Sequence, residues 1–313
     1  MSAQPNPSAQ PNPSAQPNPS AEPNSEPRAS AGLSSLDLRA DGPFDAAGAA
    51  SLVRNHALPG VERVGDDGRS LERLLTVAGA LHPVALAITE TGVRFEAETV
   101  VIEPAAAIVR AWFDLDSDVV AIGRQLSRDP LLARSVAERP GLRATQYPEA
   151  FEAAVMAVLG QQVSVAAART FGARTVAAFG TRGARGLLAF PTPAALLAPE
   201  LEELRSAIGV TSARARTVRA LARAVADGLV LDGAGDLREQ RRLLLALPGI
   251  GPWTADYLAL RLLGDPDAFP AGDLVLRRAL GRVSTAEAEA ASQAWRPHRA
   301  HAAFHLWAST GAV

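Results

Sequence analysis

A glycine-rich turn between two predicted helices is the segment of this sequence with the clearest capacity for chemistry. Residues 247–257 read Leu-Pro-Gly-Ile-Gly-Pro-Trp-Thr-Ala-Asp-Tyr, between predicted helices at 236–246 and 253–263. Gly249 and Gly251 permit a tight hairpin with outward backbone N–H groups, and the positive end of the second helix points the same way. Such a turn binds a phosphate without reading a base. An alternative interpretation is a plain corner between two helices, in which the glycines serve only the turn.

An aspartate stands at the start of the next predicted helix. Asp273 comes twenty-two residues after Gly251 and directly before an apolar segment at 274–280. Aspartate is a favoured N-cap, and capping alone accounts for most aspartates in such places. The position also suits catalysis, because the helix dipole and backbone donors stabilise the charged carboxylate. A fixed negative charge stabilises a sugar that becomes an oxocarbenium-like cation as its glycosidic bond breaks. The two roles are compatible.

Composition excludes several other kinds of site. The 313 residues include no Cys, and the 31 basic residues are all Arg, since the chain has no Lys. These absences exclude disulfides, thiol catalysis, cysteine-ligated iron–sulfur clusters, zinc fingers and lysine Schiff bases. The five His show no metal-ligand spacing, so we predict no metal site. With 33 acidic residues the net charge is −2, so a nucleic acid would have to be held by local basic clusters.

The chain divides into three segments by pattern. Residues 1–32 contain the hexapeptide Ser-Ala-Gln-Pro-Asn-Pro three times, and such a polar, proline-rich repeat predicts a disordered tail. Residues 33–103 contain period-2 stretches and a Thr-Gly step at 91–92 that suggests a hairpin. They predict a small antiparallel β-rich domain with one helix at 45–54. Residues 104–313 predict an all-α core of two helical subdomains with the active-site cleft between them, so the fold class is α+β. The predicted helices of that core cover 104–115, 118–127, 149–158, 163–179, 193–206, 212–227, 236–246, 253–263, 273–281, 285–294 and 299–308.

Taken together, these motifs resemble a known family. A helix, the string Leu-Pro-Gly-Ile-Gly-x-x-Thr-Ala, a second helix and an aspartate about twenty residues later are similar to the helix-hairpin-helix (HhH-GPD) glycosylase superfamily of DNA repair. Residues 150–165, with Val-Leu-Gly-Gln-Gln-Val-Ser-Val at 158–165, resemble the AlkA-type 3-methyladenine DNA glycosylase II family. Phe-Pro-Thr-Pro at 190–193 and the closing segment 295–307 do so too. The likeness runs from about residue 36 to residue 313.

The resemblance implies roles for individual residues. Asp273 would be the catalytic carboxylate, and a phosphate beside the lesion would be gripped by Gly249, Gly251 and Thr254. Trp253 and Trp307 fall where the family lines its base pocket with aromatic rings, although without the hairpin they would be taken as ordinary core aromatics. Gln162 falls where the family has a leucine wedged into the gap left by the flipped nucleotide, so the wedge here would be polar.

The resemblance and the missing lysine together predict a monofunctional hydrolase. Members that also cut the strand use a lysine at the position of Trp253. The expected substrate is double-stranded DNA with alkylated, 3-methyladenine-like bases, because a cationic base leaves without a general acid. No second carboxylate stands out near Asp273, but His301 and His305 remain open as helpers. A non-catalytic DNA-binding protein, or a glycosylase for oxidised, deaminated or ethenoadduct bases, are alternatives.

Two arginine-rich stretches are candidates for phosphate contacts, although they could also be ordinary solvated helix faces. The residues concerned are Arg205, Arg214, Arg216, Arg219, Arg223, Arg277, Arg278, Arg282, Arg296 and Arg299, of which we expect Arg277 and Arg278 to bind DNA. No cofactor is predicted, and a monovalent or divalent structural ion at the hairpin carbonyls stays open. We expect no membrane association because no apolar run reaches the length of a membrane span. The predicted protein is a cytoplasmic, nucleoid-associated monomer.

Overall fold

The computed structural model describes Met1, Ser2 and residues 32–311. The chain forms two units, Met1–Ala31 and Gly32–Val313. The predicted disordered tail lies outside the described residues apart from its first two residues and Gly32. The carbonyl of Gly32 accepts hydrogen bonds from the N–H and the hydroxyl of Thr99, so this residue is part of the second unit.

An antiparallel five-stranded sheet opens the second unit, as predicted. Its spatial order is β1-β5-β4-β3-β2. Residues 89 and 92 pair across the predicted hairpin between β4 and β5. The strands are β1 (Leu33–Arg39), β2 (Arg63–Val64), β3 (Ser70–Val77), β4 (Ala80–Thr89) and β5 (Gly92–Glu98), with the predicted helix α1 (Ala46–His56) between β1 and β2.

The core of the sheet domain extends past the predicted boundary at residue 103. Helix α2 (Ile102–Trp112) follows β5 and contributes Ala105, Val109 and Trp112 to the same buried cluster as Phe95 of the sheet. The sequence pattern assigned this helix to the helical domain because its own periodicity is that of any amphipathic helix. Which neighbour buries its apolar face is a tertiary choice that periodicity does not encode.

Strand β3 escaped prediction because its residues do not alternate. Leu71 and Leu75 face the sheet core, but Arg73 between them is buried on the same face, with its guanidinium 5.5 Å from the ring centre of Trp112. Leu74 on the opposite face is also buried, against Leu187. A strand that is covered on both faces loses the period-2 signal by which a half-exposed strand is recognised.

The rest of the described chain is helical, as predicted, with three local differences. Asp129 and Pro130 lie outside the predicted helices but begin one: Asp129 caps it and Pro130 occupies its first turn, where a missing N–H costs nothing. The predicted helix at 193–206 is two helices, separated around Pro199, and a two-stranded hairpin lies between helices. The elements are α3 (Val119–Leu126), α4 (Pro130–Glu138), α5 (Ala150–Leu159), α6 (Val165–Phe179), β6 (Thr181–Arg182), β7 (Leu188–Ala189), α7 (Pro193–Leu197), α8 (Leu201–Ile208), α9 (Ser212–Ala226), α10 (Leu237–Leu245), α11 (Pro252–Arg261), α12 (Leu274–Ala279), α13 (Thr285–Ser292) and α14 (Arg299–Ser309). Among the described helices none is long and apolar enough to cross a membrane.

A buried ion network joins the sheet to helix α5. Arg73 of β3 donates to Glu62 at 2.6 Å and to Glu152 of α5 at 2.8 Å. All three side chains are at least nine-tenths buried. Neighbouring Glu149 accepts from the backbone N–H of Thr76. The network therefore links the sheet to helix α5.

We expect Glu62→Gln to change the dependence of stability on pH by removing one titrating group. Burial raises the pKa of Glu62 to about 7, against the opposing charge of Arg73. A carboxyl whose pKa is higher folded than unfolded contributes stability at low pH and loses it as pH rises through the folded value. Urea denaturation over a pH series should therefore show the stability of the wild type falling relative to that of the variant between about pH 5 and about pH 7, while the buried His56 and His305 contribute equally in both proteins. Glu90→Gln, at an exposed glutamate, is the control, and equal slopes in Glu62→Gln and wild type would contradict the assignment.

Candidate nucleic-acid interface and active site

The glycine turn has the geometry that its sequence predicts. Helices α10 and α11 flank it, and buried Ile250 anchors it by donating its N–H to the carbonyl of Leu247. Gly249 has φ +83°, and a Cβ there would lie 1.9 Å from the hydroxyl of Thr217 in α9. Gly251 caps α11 and faces open space, since a Cβ there would meet nothing within 4 Å. The first glycine is therefore needed for packing, whereas the second keeps the outer surface clear.

The first turn of α11 presents free backbone donors. Within the described part of the chain, no acceptor is paired with the N–H groups of Gly251, Trp253 or Thr254, and Pro252 has none to offer. The hydroxyl of Thr254 is buried and accepts a hydrogen bond from Gln161 Nε2 at 3.0 Å. A ligand at the turn would thus meet main-chain N–H groups rather than the Thr254 side chain.

Asp273 lies beside the turn and is held by four donors. As the N-cap of α12, its Oδ1 accepts from the N–H groups of Val275 and Leu276 at 2.9 and 3.0 Å. The indole N–H of Trp307 donates to the same oxygen at 3.2 Å, and that of Trp253 donates to Oδ2 at 3.1 Å. Both carboxylate oxygens are therefore fixed by N–H donors.

Aromatic contacts link the two tryptophans to neighbouring rings. Trp253 is half-buried and stacks on Tyr257, with ring centres 5.5 Å apart, whereas Trp307 is only 7% exposed and packs edge-on against Phe304. Tyr257 lies between the two indoles, 6.3 Å from Trp307. Sequence reasoning missed Tyr257, although its place four residues after Trp253 put it on the same face of α11.

The loop between α5 and α6 brings a polar side chain to the turn. Gln162 is exposed at its tip and has φ +56°, a left-handed conformation that few residues other than glycine adopt. Gln161 beside it donates Nε2 to the carbonyl of Gly249 at 2.9 Å as well as to Thr254. Sequence reasoning missed Gln161 because two adjacent glutamines in a loop carry no signal of which one faces inward.

His301 and His305 have partners away from the aspartate. His301 Nε2 lies 3.0 Å from a carboxylate oxygen of Asp114, and His305 Nδ1 lies 3.0 Å from the hydroxyl of Ser135. Burial lowers the pKa of His305 to about 4, so that this ring is neutral near pH 7. Their contacts are those of packing residues, as the burial of both side chains also indicates.

Most of the candidate arginines are engaged within the fold. Arg205 pairs with Glu202, Arg214 donates to the Gln161 carbonyl, and Arg219 donates to the Pro199 carbonyl. Arg296 and Arg299 both bind Asp267. Arg277 donates to the carbonyl of Val283 at 2.8 Å. Among the described side chains, Arg216, Arg223, Arg278 and Arg282 form neither a hydrogen bond nor an ion pair.

Metal ligands are not clustered in the part of the chain that the structure describes. No group of three or more His, Cys, Asp or Glu there could hold an ion. Of the hairpin carbonyls, those of Leu247 and Gly249 already accept hydrogen bonds from Ile250 and Gln161. A structural ion at the hairpin stays a prediction.

Comparisons with known proteins agree with this geometry. Residues 35–149 match the family model of the AlkA N-terminal domain, and residues 155–298 match that of the HhH-GPD superfamily base excision DNA repair protein. The fold is similar to that of a 3-methyladenine DNA-glycosylase from Archaeoglobus fulgidus, with a TM-score of 0.76 at 21% identity, over 88% of this chain and 98% of that one. The chain thus contains an AlkA N-terminal domain at residues 35–149 and an HhH-GPD superfamily base excision DNA repair domain at residues 155–298.

Two curated relatives are similar in sequence. A probable bifunctional transcriptional activator/DNA repair enzyme AlkA from Mycobacterium tuberculosis is 39% identical over 89% of this chain and 58% of its own length. DNA-3-methyladenine glycosylase 2 from Escherichia coli is 36% identical over 58% of this chain and 64% of its own length. The chain therefore spans less than two thirds of either relative.

Proposed function

We propose that this chain is a monofunctional DNA glycosylase that hydrolyses the N-glycosidic bond of alkylated, 3-methyladenine-like bases and leaves an abasic site. The observation that carries the proposal is the Asp273 carboxylate, fixed by four donors beside the glycine turn. The names of the two curated relatives support the same class of activity.

Binding to double-stranded DNA would begin at the glycine turn. The free N–H groups of Gly251, Trp253 and Thr254 converge with the positive end of α11, and Gly249 keeps the turn tight, as a phosphate site requires. Gln162 would enter the gap left by the flipped nucleotide and hydrogen-bond the orphaned base. The backbone of Gln162 is left-handed, and its side chain is exposed at the loop tip. Arg277 would stiffen the loop after α12 while exposed Arg278 contacts the strand.

Asp273 would supply the charge that the transition state needs. As the bond to the base breaks, positive charge grows on the deoxyribose, and a fixed anion within the low-dielectric site stabilises it. Its hydrogen-bonded oxygens need not reorganise during the reaction. The carboxylate would also orient the water that attacks the sugar.

The kind of base that can leave depends on whether a nearby side chain can protonate it. His305 is neutral near pH 7 and bound to Ser135, and His301 is bound to Asp114, so neither supplies an acid. A base methylated on a ring nitrogen is cationic and departs without one. A base flipped toward Trp253 and Trp307 would meet electron-rich indole rings, which attract cations by about 0.5–2 kcal/mol per contact.

We also propose that the protein has no lyase step and does not cut the DNA strand. A strand-cleaving relative would use a lysine where this chain has Trp253, and the sequence contains no lysine at all. We expect the enzyme to act as a monomer, in the cytoplasm and associated with the nucleoid where its substrate lies.

A release assay tests the proposed function. Duplex DNA treated with a methylating agent should release 3-methyladenine on incubation with the protein. Borohydride should trap no protein–DNA adduct. A panel of duplexes with single alkylated, oxidised, deaminated or ethenoadduct lesions determines which lesions the protein releases. A protein that binds the alkylated duplex and releases no base would overturn the proposal in favour of a non-catalytic binding protein.

We expect Gly251→Ala to weaken DNA binding without unfolding the protein. The added Cβ meets no protein atom, but it occupies the surface where the phosphate would approach the N–H groups. Loss of one such hydrogen bond, about 1.4 kcal/mol, corresponds to about a tenfold rise in Kd. Fluorescence anisotropy with an abasic-analogue duplex measures it.

Gly249→Ala is the matched variant for that experiment. Its methyl group would collide with Thr217 and require a left-handed backbone, so it should lower the melting temperature. Unchanged DNA affinity in a folded Gly251→Ala protein would indicate that the turn is only a corner between helices.

A further inference from the structure

An arginine-rimmed groove runs along helix α9 away from the glycine turn. It has a volume of about 590 Å³ and is lined by Leu197, Leu201, Arg216, Arg223, Pro248 and Gly249, among others. The groove begins at the turn itself, because Gly249 packs against Thr217 of the same helix. None of the lining residues carries a carboxylate. The groove therefore combines an apolar floor with a positive rim.

Arg216 and Arg223 are the arginines on this rim without partners in the described part of the chain. Arg219 between them is held by the Pro199 carbonyl at 3.1 Å, whereas both flanking guanidinium groups are exposed. Residues seven apart lie on one face of a helix. They are separated by about 10 Å along the axis. Two positive charges on one stripe of the helix repel each other, and an anion that bridges them would relieve this repulsion.

We propose that this groove binds the sugar–phosphate backbone of DNA beyond the phosphate gripped at the glycine turn. One strand presents a phosphate about every 3.4 Å of helical rise, so the arginine stripe of about 10 Å spans about three phosphate steps. The apolar floor of Leu197, Leu201 and Pro248 receives deoxyribose rings between them. The inference rests on the proposed function for its partner, and it adds a second, continuous contact along the same strand.

Salt dependence of binding tests the groove. The double variant Arg216→Gln/Arg223→Gln removes two charges and keeps residues that favour helix. Each phosphate that is no longer neutralised should make the slope of log K against log salt less negative by about 0.9, so the double variant should change it by about 1.8. The probe is a duplex with a tetrahydrofuran abasic analogue, titrated in increasing KCl. Arg124→Gln/Arg128→Gln, which removes two exposed arginines near α3, is the matched control.

A second measurement locates the contact. Single methylphosphonates, which neutralise one phosphate, are placed in turn along the lesion strand. At the positions over the groove they should weaken the wild type and leave the double variant unaffected, a coupling that general charge loss does not produce. No such position, or an equal slope change in the control pair, would overturn the groove.

Base release separates this proposal from the proposed function. With enzyme in excess over methylated duplex, the double variant should reach half of its maximal rate of 3-methyladenine release at a higher protein concentration than the wild type does. A wild type that releases no base while the double variant shows the smaller slope would overturn the proposed function and keep the groove. A wild type that releases base while the slope stays unchanged in the double variant would overturn the groove alone.

Discussion

Asp273→Asn is expected to bind lesion-containing duplex like the wild type and to release 3-methyladenine about 10²–10³-fold more slowly. Asparagine caps helices as well as aspartate does, so α12 should keep its first turn. What the variant loses is the negative charge beneath the developing sugar cation, and a preorganised electrostatic contact of this kind is worth about that factor. Single-turnover release from methylated duplex gives the rate, and anisotropy with an abasic-analogue duplex gives the affinity.

Asp236→Asn is the matched control. Asp236 is the N-cap of α10 and accepts from the N–H groups of Arg238 and Glu239, so the substitution changes the same atoms at a helix start without touching the site. It should leave release unchanged. An Asp273→Asn protein that released base at a near wild-type rate would remove the carboxylate from the mechanism, whatever its stability.

The second large effect is expected from the indole donors. Trp253→Phe and Trp307→Phe each keep an aromatic ring and delete the N–H that reaches Asp273. A hydrogen bond to a charged group contributes about 1.5–3 kcal/mol, so each variant should lower the single-turnover rate about 10- to 100-fold if the bond is maintained in the transition state. The rate falls because, without this hydrogen bond, the Asp273 carboxylate can rotate away from the sugar.

A double-mutant cycle separates this role from stacking on the base. In the Asp273→Asn background, where the charge is absent, Trp253→Phe should cost much less than it does alone, since the two substitutions remove one interaction. Equal costs in both backgrounds would assign Trp253 to the base pocket alone. Trp295→Phe supplies the control, because its indole donates to Asp129, the N-cap of α4. It should lower stability and leave the rate of release unchanged.

Prediction from sequence succeeded where the determinants are local. Gly249 and Asp273 each occupy a position that short-range geometry prescribes: a tight turn and an N-cap. The periodicity of the helices and the hairpin before Gly92 are equally local. These elements therefore follow from residue type and spacing.

Prediction failed where a distant segment decides. The alternation of apolar residues in strand β3 is interrupted by Arg73, which is buried because it forms ion pairs with Glu62 and Glu152 from elsewhere in the chain. Helix α2 packs on the sheet because the apolar side chains of the helix and of the sheet bury one another. The inward turn of Thr254 depends on Gln161, ninety-three residues earlier.

By itself, then, the amino-acid sequence determined the helices, the turn, the capping aspartate and the family to which they belong, because each depends on interactions between residues close in the chain. Only the tertiary structure decided what surrounds the carboxylate. Trp253 of α11 and Trp307 of α14 are fifty-four residues apart in the chain, and both direct an N–H to Asp273. Charged oxygens at the meeting point of three helices are satisfied by whichever donors the packing brings there. That packing is set by the burial of apolar side chains from the whole core, which no local pattern records.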